Sequence, residues 1–252
     1  MSLSYDFKGK VALVTGANTG LAVSTAIQFA KSGASVVVSG QYADSRLTTV
    51  ANECRNTGAN VLEMAADPTR EEDLQKLVDK TMSTFGRIDI LVNCSVHHEN
   101  ALIIDPLFMV KYRKTMQTNL EAMVFMTSIC VEHLEKTRGT IINISSIRSA
   151  RASPKESAYC MAKSAIDMFT KCMATELGPK GIRVNSVNPY TWDPNNIPLD
   201  PFVDMAPKMP AQRVGLSDDL AFAVLFLAAK EASFITGTNM LVDGGHTAAG
   251  LP

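Results

Sequence analysis

The feature that most constrains this chain is a regular alternation of short β-branched runs with longer segments of helical spacing. The short runs fall at residues 11–15, 35–39, 61–65, 88–93, 140–145, 183–187 and 239–242. Several are apolar throughout, as in the Val-Ala-Leu-Val run that starts at Val11. Strands of that kind lie in parallel sheets covered on both faces. Between them, segments 21–32, 46–57, 71–85, 109–135, 157–177 and 218–229 have the length and periodicity of helices. Strand, helix, strand repeated along a chain implies right-handed crossovers. The expected fold class is therefore α/β: a single domain over residues 1–252, with about seven parallel strands doubly wound by helices on both faces. One segment breaks the rhythm. Residues 190–212 carry Pro194, Pro198, Pro201, Pro207 and Pro210, and a connection of that length predicts a lid over a substrate.

Composition excludes several classes of function. Lys plus Arg total 24 against 25 Asp plus Glu, a net charge of −1, with no basic block. Nucleic acid and a membrane surface are thus not expected partners. No apolar run approaches the roughly 20 residues that cross a bilayer. Neither a secretory leader at the start nor a targeting tripeptide at the end is recognisable. Cys54, Cys94, Cys130, Cys160 and Cys172 are widely spaced, without a Cys-x-x-Cys pair, so free thiols in a reducing, cytoplasmic compartment are expected. In His97-His98-Glu99 adjacent side chains diverge and a third ligand is missing, so no metal is expected.

Two motifs carry chemistry. The first run leads into Thr15-Gly16-Ala17-Asn18-Thr19-Gly20-Leu21, where a helix begins. A Gly-rich turn from strand to helix presents backbone N–H groups and the positive helix end to a pyrophosphate. The second motif is Tyr159 and Lys163, four residues apart on the predicted helix 157–177 and following Ser146. Positions i and i+4 share a helix face. A phenol beside a fixed ammonium is expected to titrate below its ordinary value of about 10. Such a tyrosine can give a proton to a carbonyl oxygen or take one from an alcohol, while Ser146 holds the same oxygen.

These residues resemble the short-chain dehydrogenase/reductase family, a Rossmann-fold family, over nearly the whole chain. Thr15-Gly16-x-x-x-Gly20 is similar to its cofactor motif, Asn119 in Thr-Asn-Leu to the asparagine of its catalytic tetrad, and Ser146, Tyr159 and Lys163 to the other three members. Asp67 stands where the family places an aspartate beside the adenine, and Thr236-Gly237 to Val242-Asp243-Gly244-Gly245 resembles its closing strand and turn. The resemblance implies Tyr159 as general acid/base, Lys163 on the nicotinamide ribose, Ser146 on the substrate oxygen, and Asn119 holding a water that reloads the proton. It implies cofactor contacts at Gly16, Asn18, Thr19, Gly20, Leu21, Gly40, Gln41, Asp67, Asn93, Ser95, Tyr159, Lys163, Pro189 and Trp192. At the end of the second run Gly40 and Gln41 replace the acidic residue that selects NAD(H), and Arg46 lies close in sequence. NADP(H) is therefore favoured over NAD(H).

The departures from the family cluster at the cofactor. Ala22 replaces the third glycine, Val96 replaces a glycine after Asn93-Cys94-Ser95, and Pro68 removes a backbone N–H beside Asp67. Tyr190 and Pro194 replace a glycine and a threonine after the sixth run. The expected activity is that of a carbonyl reductase or alcohol dehydrogenase on a small or medium carbonyl compound. Two alternatives stand beside it: a catalytically weak nucleotide-binding regulator or scaffold, and a reductase of a steroid, pterin or quinone ring. Met161, Met205 and Met209 are candidates to line the substrate pocket, and Trp192 to anchor the lid or cover the nicotinamide. The resemblance also implies a homo-oligomer, tetramer or dimer, joined through segments 109–135 and 157–177. Met116, Leu120, Phe125, Met168, Phe169 and Met173 give those segments a second apolar face.

Overall fold

The computed structural model describes residues 5–18, 20–190 and 206–250. Strands β1 (Val11–Thr15), β2 (Ser35–Gly40), β3 (Val61–Ala65), β4 (Ile90–Asn93), β5 (Thr140–Ile144), β6 (Arg183–Pro189) and β7 (Asn239–Val242) form one sheet. Its order is β3-β2-β1-β4-β5-β6-β7, and every neighbouring pair is parallel. The chain reverses its direction of growth between β1 and β4, and crevices for ligands open at such switch points. The helices are α1 (Gly20–Lys31), α2 (Ser45–Asn56), α3 (Glu71–Phe85), α4 (Phe108–Met116), α5 (Ala122–Thr137), α6 (Ser157–Leu177) and α7 (Ser217–Ala228).

The apolar runs are explained by two cores, one on each face. On β1, Ala12 and Val14 join the core of α1 and α7, with Ala22, Ala26, Phe29, Leu220 and Val224. Val11 and Leu13 join the opposite core, with Leu74, Leu77, Met126 and Leu134 of α3 and α5. Successive side chains point to opposite faces, so a strand buried on both sides must be apolar at every position. Each fully buried aliphatic side chain contributes roughly 1.5–3 kcal/mol. Helix ends follow local chemistry. Asp44 caps α2 by accepting the Leu47 N–H at 3.0 Å, and Glu71, Glu72 and Asp73 open α3 at its positive end. Gly86 closes α3 in the left-handed region, at φ 72°.

The predicted segment 109–135 is not one α-helix. It divides into α4, a π-helical turn at Gln117–Glu121, and α5, with the Ala122 N–H donating to the Gln117 carbonyl. Apolar spacing alone does not reveal one extra residue in a turn, because the faces on either side stay apolar. β4 begins at Ile90 rather than at residue 88, β2 and β6 run on to Gly40 and Pro189, and β5 stops at Ile144. No described helix is long and apolar enough to cross a membrane.

Candidate active site

The site lies at the C-terminal ends of β1, β4 and β5. Thr15 closes β1, and its hydroxyl oxygen accepts the N–H groups of Cys94 at 3.0 Å and Ser95 at 3.3 Å. This ties the loop after β4 to the turn after β1. Gly16 follows at φ +70°, and a Cβ there would lie 2.8 Å from the Cys94 carbonyl oxygen. The position therefore requires glycine twice over, for its backbone angle and for the space. Beside this turn a small cavity is lined by Thr15, Pro68, Asn93, Ser95, Asn119 and Met123.

Asn119 occupies the π-helical turn and is buried. Its Nδ2 donates to the His97 carbonyl at 2.7 Å, and its Oδ1 accepts the His97 N–H at 2.8 Å. The side chain clamps the loop after β4, with one Nδ2 hydrogen and one Oδ1 lone pair beyond these two bonds. π-Helical turns recur at functional sites because they re-aim a residue out of the regular ladder.

Ser146, Tyr159 and Lys163 meet as their spacing predicts. The Ser146 hydroxyl lies near the Tyr159 phenol and favours its charged form, and the Ser146 oxygen accepts the Arg148 N–H at 3.1 Å. Lys163 Nζ lies 5.3 Å from the centre of the Tyr159 ring and donates to the Ile144 carbonyl at 2.8 Å. The titration differs from expectation. Burial pushes the Tyr159 phenol well above its ordinary value; the Ser146 hydroxyl opposes this, and the Glu156 charge adds to it. Lys163, only 2% exposed, is itself pushed down to about 8, chiefly by burial, with Cys94 and Asp167 opposing. A desolvated ammonium directed at a carbonyl does not stabilise the phenolate as an ion beside it would.

The remaining predicted positions are placed as follows. Asn18 lies against Gly40, where a Cβ would meet the Asn18 side chain at 3.0 Å. Asn18, Gly20, Ser45 and Arg46 line one open hollow. Gln41 lies near Asp67, which accepts the Thr69 N–H at 2.9 Å and the Thr69 hydroxyl at 2.8 Å. Burial works against the Asp67 charge, but these bonds outweigh it and hold the carboxyl below its ordinary value. Arg46 is exposed and pairs with Asp44 at 3.1 Å. The Leu21 side chain packs against the core, so only its backbone is open to a ligand. Asn93 donates to Asn143 at 2.9 Å, and Asn143 to Thr170 at 2.9 Å, a buried chain joining β4, β5 and α6. Val96 is 43% exposed on the loop after β4, and Pro189 closes β6 beside Val242 of β7. Met161 is exposed, whereas Met209 is buried and lies beside Gly244. Thr19, Trp192, Pro194, Met205 and most of the predicted lid lie outside the described residues.

Sequence reading missed a second layer around Tyr159. The His98 ring meets the Tyr159 ring edge-on, with centroids 4.7 Å apart. Glu156 holds His98 at 3.1 Å and Arg148 at 3.0 Å. His97 pairs with Glu99 instead, at 3.3 Å, so the two histidines do diverge. No group of three or more His, Cys, Asp or Glu side chains among the described residues is placed to hold a metal ion. His246 is buried and stacks on Tyr190, with centroids 4.0 Å apart. These contacts join residues far apart in sequence, and no spacing announces them.

Comparison with known proteins bears on this arrangement. Residues 16–247 match the family described as enoyl-(acyl carrier protein) reductase. The chain is 32% identical over 246 residues to cis-4-hydroxycyclohexanecarboxylate dehydrogenase of Sinomonas cyclohexanicum, covering 96% of this chain and 98% of that one. A short-chain type dehydrogenase/reductase from Mycobacterium marinum superposes with a TM-score of 0.87 at 31% identity, covering 97% of each chain. A 7α-hydroxysteroid dehydrogenase, solved with NADH and 7-oxo glycochenodeoxycholic acid, superposes with a TM-score of 0.89 at 31% identity, covering 96% of each chain.

Proposed function

The chain belongs to the short-chain dehydrogenase/reductase family and is an oxidoreductase of that type; on that premise we propose that it is an NADP(H)-dependent enzyme interconverting a small or medium carbonyl compound and its secondary alcohol. The observation that carries this reading is the meeting of Ser146, Tyr159 and Lys163, with the Lys163 ammonium 5.3 Å from the centre of the phenol ring. The names of two relatives, a hydroxysteroid and a hydroxycyclohexanecarboxylate dehydrogenase, support an alcohol/carbonyl pair as the reacting group.

The site fits a dinucleotide. Gly16 provides a positive-φ turn leading into α1, Asp67 is held ionised at the sheet edge, and the hollow at Asn18 and Gly20 continues to Arg46. Gly16, Asn18, Thr19, Gly20 and Leu21 would hold the pyrophosphate, and Asp67 the adenine. Gly40, Gln41 and Arg46 would face the adenine ribose. Asn93, Ser95, Lys163, Pro189 and Trp192 would border the nicotinamide half. When bound, the nicotinamide supplies or accepts the hydride, and the protein contributes position and the proton. Ser146 orients the substrate oxygen. Tyr159, kept protonated by its surroundings, donates to that oxygen in the reducing direction. Lys163 has Nζ hydrogens beyond the one given to Ile144 with which to hold ribose hydroxyls.

NADP(H) is favoured because Gly40 and Gln41 put no carboxylate at the end of β2, where Gln41 lies near Asp67. The Arg46–Asp44 pair is exposed and weak, and leaves Arg46 free to turn to a 2′-phosphate. The five free thiols support a reducing, cytoplasmic setting.

The test is a titration with NADPH and NADH followed by turnover over a panel of carbonyl compounds. Tighter binding of NADPH, with NADPH oxidation by at least one carbonyl, is expected. Failure to bind either nucleotide would remove the oxidoreductase reading; binding without turnover of any carbonyl or alcohol would favour a regulator. Gln41→Asp is expected to shift preference toward NADH, and an unchanged preference would remove that position as the selector.

A further inference from the structure

The loop between Ser146 and Tyr159 and the turn after β7 bring two unpartnered, nitrogen-bearing side chains toward each other. Arg151 has a buried Nη1 with no hydrogen-bond partner, and no acidic side chain among the described residues pairs with it. His246 is only 2% exposed, and both of its ring nitrogens lack a partner. A buried donor without an acceptor is costly, and for a guanidinium more so than for a neutral group. Two such groups at the end of the sheet where the reacting residues stand point to a missing acceptor.

Backbone contacts place the segments that carry this pair around the Ser146–Tyr159 site. Cys160, next to Tyr159, donates its thiol to the Arg151 carbonyl at 3.6 Å. His246 stacks on Tyr190, which follows the last residue of β6, and Asn188 of β6 donates to the Ser146 carbonyl at 3.2 Å. The acidic groups nearby are already engaged. Glu156 is held by Arg148 and His98, and Asp243 accepts the N–H groups of Gly245 at 3.0 Å and Thr247 at 2.8 Å. Burial chiefly, with the Arg151 and Arg148 charges, keeps His246 below its ordinary titration range against the opposing pull of Asp243. Among the described residues, the Arg151 charge is thus left without a paired acid.

We propose that the substrate carries a carboxylate, held by Arg151 and His246, while its carbonyl or hydroxyl group lies at Ser146 and Tyr159. A carboxylate offers two acceptor oxygens to the planar guanidinium fork and can also take the imidazole N–H. The substrates would be an oxo acid in the reducing direction and the corresponding hydroxy acid in the other. The carboxylate is unchanged: the carbonyl carbon takes the hydride, its oxygen takes the Tyr159 proton, and the nicotinamide is oxidised. This assignment rests on the oxidoreductase reading above and names a substrate class for it.

The test compares levulinate and longer oxo acids with their methyl esters, using NADPH and the whole enzyme. Hydrogen bonds to a charged group predict a kcat/KM for the best acid at least about tenfold above that for its ester, expressed in KM. Arg151→Met is expected to collapse the acid-to-ester ratio toward one, Arg151→Lys to restore part of it, and His246→Gln to lower it by a smaller factor. Equal kcat/KM for acids and esters, or an unchanged ratio in Arg151→Met, would overturn the proposal. A binding arm separates this from failure of the redox reading. Hexanoate binding to the enzyme–NADP⁺ complex, followed by calorimetry, should be weakened at least about tenfold in Arg151→Met. Absence of hexanoate binding, or binding that Arg151→Met and His246→Gln leave intact, counts against the site, as does stronger binding of a phosphate monoester than of hexanoate. If Arg151→Met does not fold, Arg151→Lys and His246→Gln carry the same comparison.

Discussion

Tyr159 sits where its neutral form is favoured, and this changes how the pair with Lys163 works. Four-residue spacing brings the ammonium to the phenol face, but burial dominates both groups: it raises Tyr159 and lowers Lys163 to about 8. Spacing predicts which side chains meet; desolvation depends on everything packed around them, which no local pattern contains. The sign for stability follows. An unfolded lysine titrates near 10.4, so between about 8 and about 10 the unfolded chain binds more protons and stability rises with pH. Comparing the enzyme with Lys163→Met by thermal unfolding, the stability difference should move in favour of the enzyme by roughly 1–3 kcal/mol between about pH 7 and about pH 10. A difference that stays flat would mean Lys163 is not held low. At Gly16 the constraint is steric. Gly16→Ala must strain a φ of +70° and meet the Cys94 carbonyl, so it should weaken NADPH binding at least about tenfold and lower the melting temperature.

At the scale of elements, the helices α3 and α6 run as their residues predict, from Glu71 to Phe85 and from Ser157 to Leu177. Both have a regular apolar stripe and clear ends. The π-helical turn was not legible, because Asn119 sits among residues whose spacing suits an unbroken helix. Within it Asn119 contacts His97, 22 positions away in sequence. That clamp sets the loop that carries His98 against Tyr159. Asn119→Ala should therefore leave the fold intact by circular dichroism yet lower kcat about tenfold to hundredfold, the loss expected of a misplaced constellation. Wild-type kcat in that variant would separate the clamp from catalysis. The strand network is a stability device. Asn143 lies fully buried between Asn93 and Thr170, and Asn143→Leu would strand the Asn93 and Thr170 groups it bonds. A loss of about 2–4 kcal/mol in denaturant unfolding is expected, without a change in nucleotide specificity.

For the molecule as a whole, continuous apolar runs made the doubly wound sheet readable. A strand polar on one face would have left open what covers it; Val11 to Val14 require a core on each side, and both are present. The contacts that define the second layer of the site (His98 with Tyr159, and His246 with Tyr190) form only when the sheet brings its loops together. The proposed assembly of copies belongs to the same scale. Val124, Met161 and Met168 are exposed on α5 and α6, supporting association of copies through those helices. Met168→Glu should shift the particle to smaller mass in light scattering, and an unchanged mass would place the interface elsewhere. The central claim is that this molecule moves a proton through Tyr159 while hydride passes between nicotinamide and substrate. Its most direct test is the single-turnover rate of NADPH oxidation by a carbonyl substrate in the enzyme and in Tyr159→Phe, with NADPH affinity measured in both. The account predicts a rate about 10²–10⁴-fold lower in Tyr159→Phe with the nucleotide still bound; an undiminished rate would contradict it.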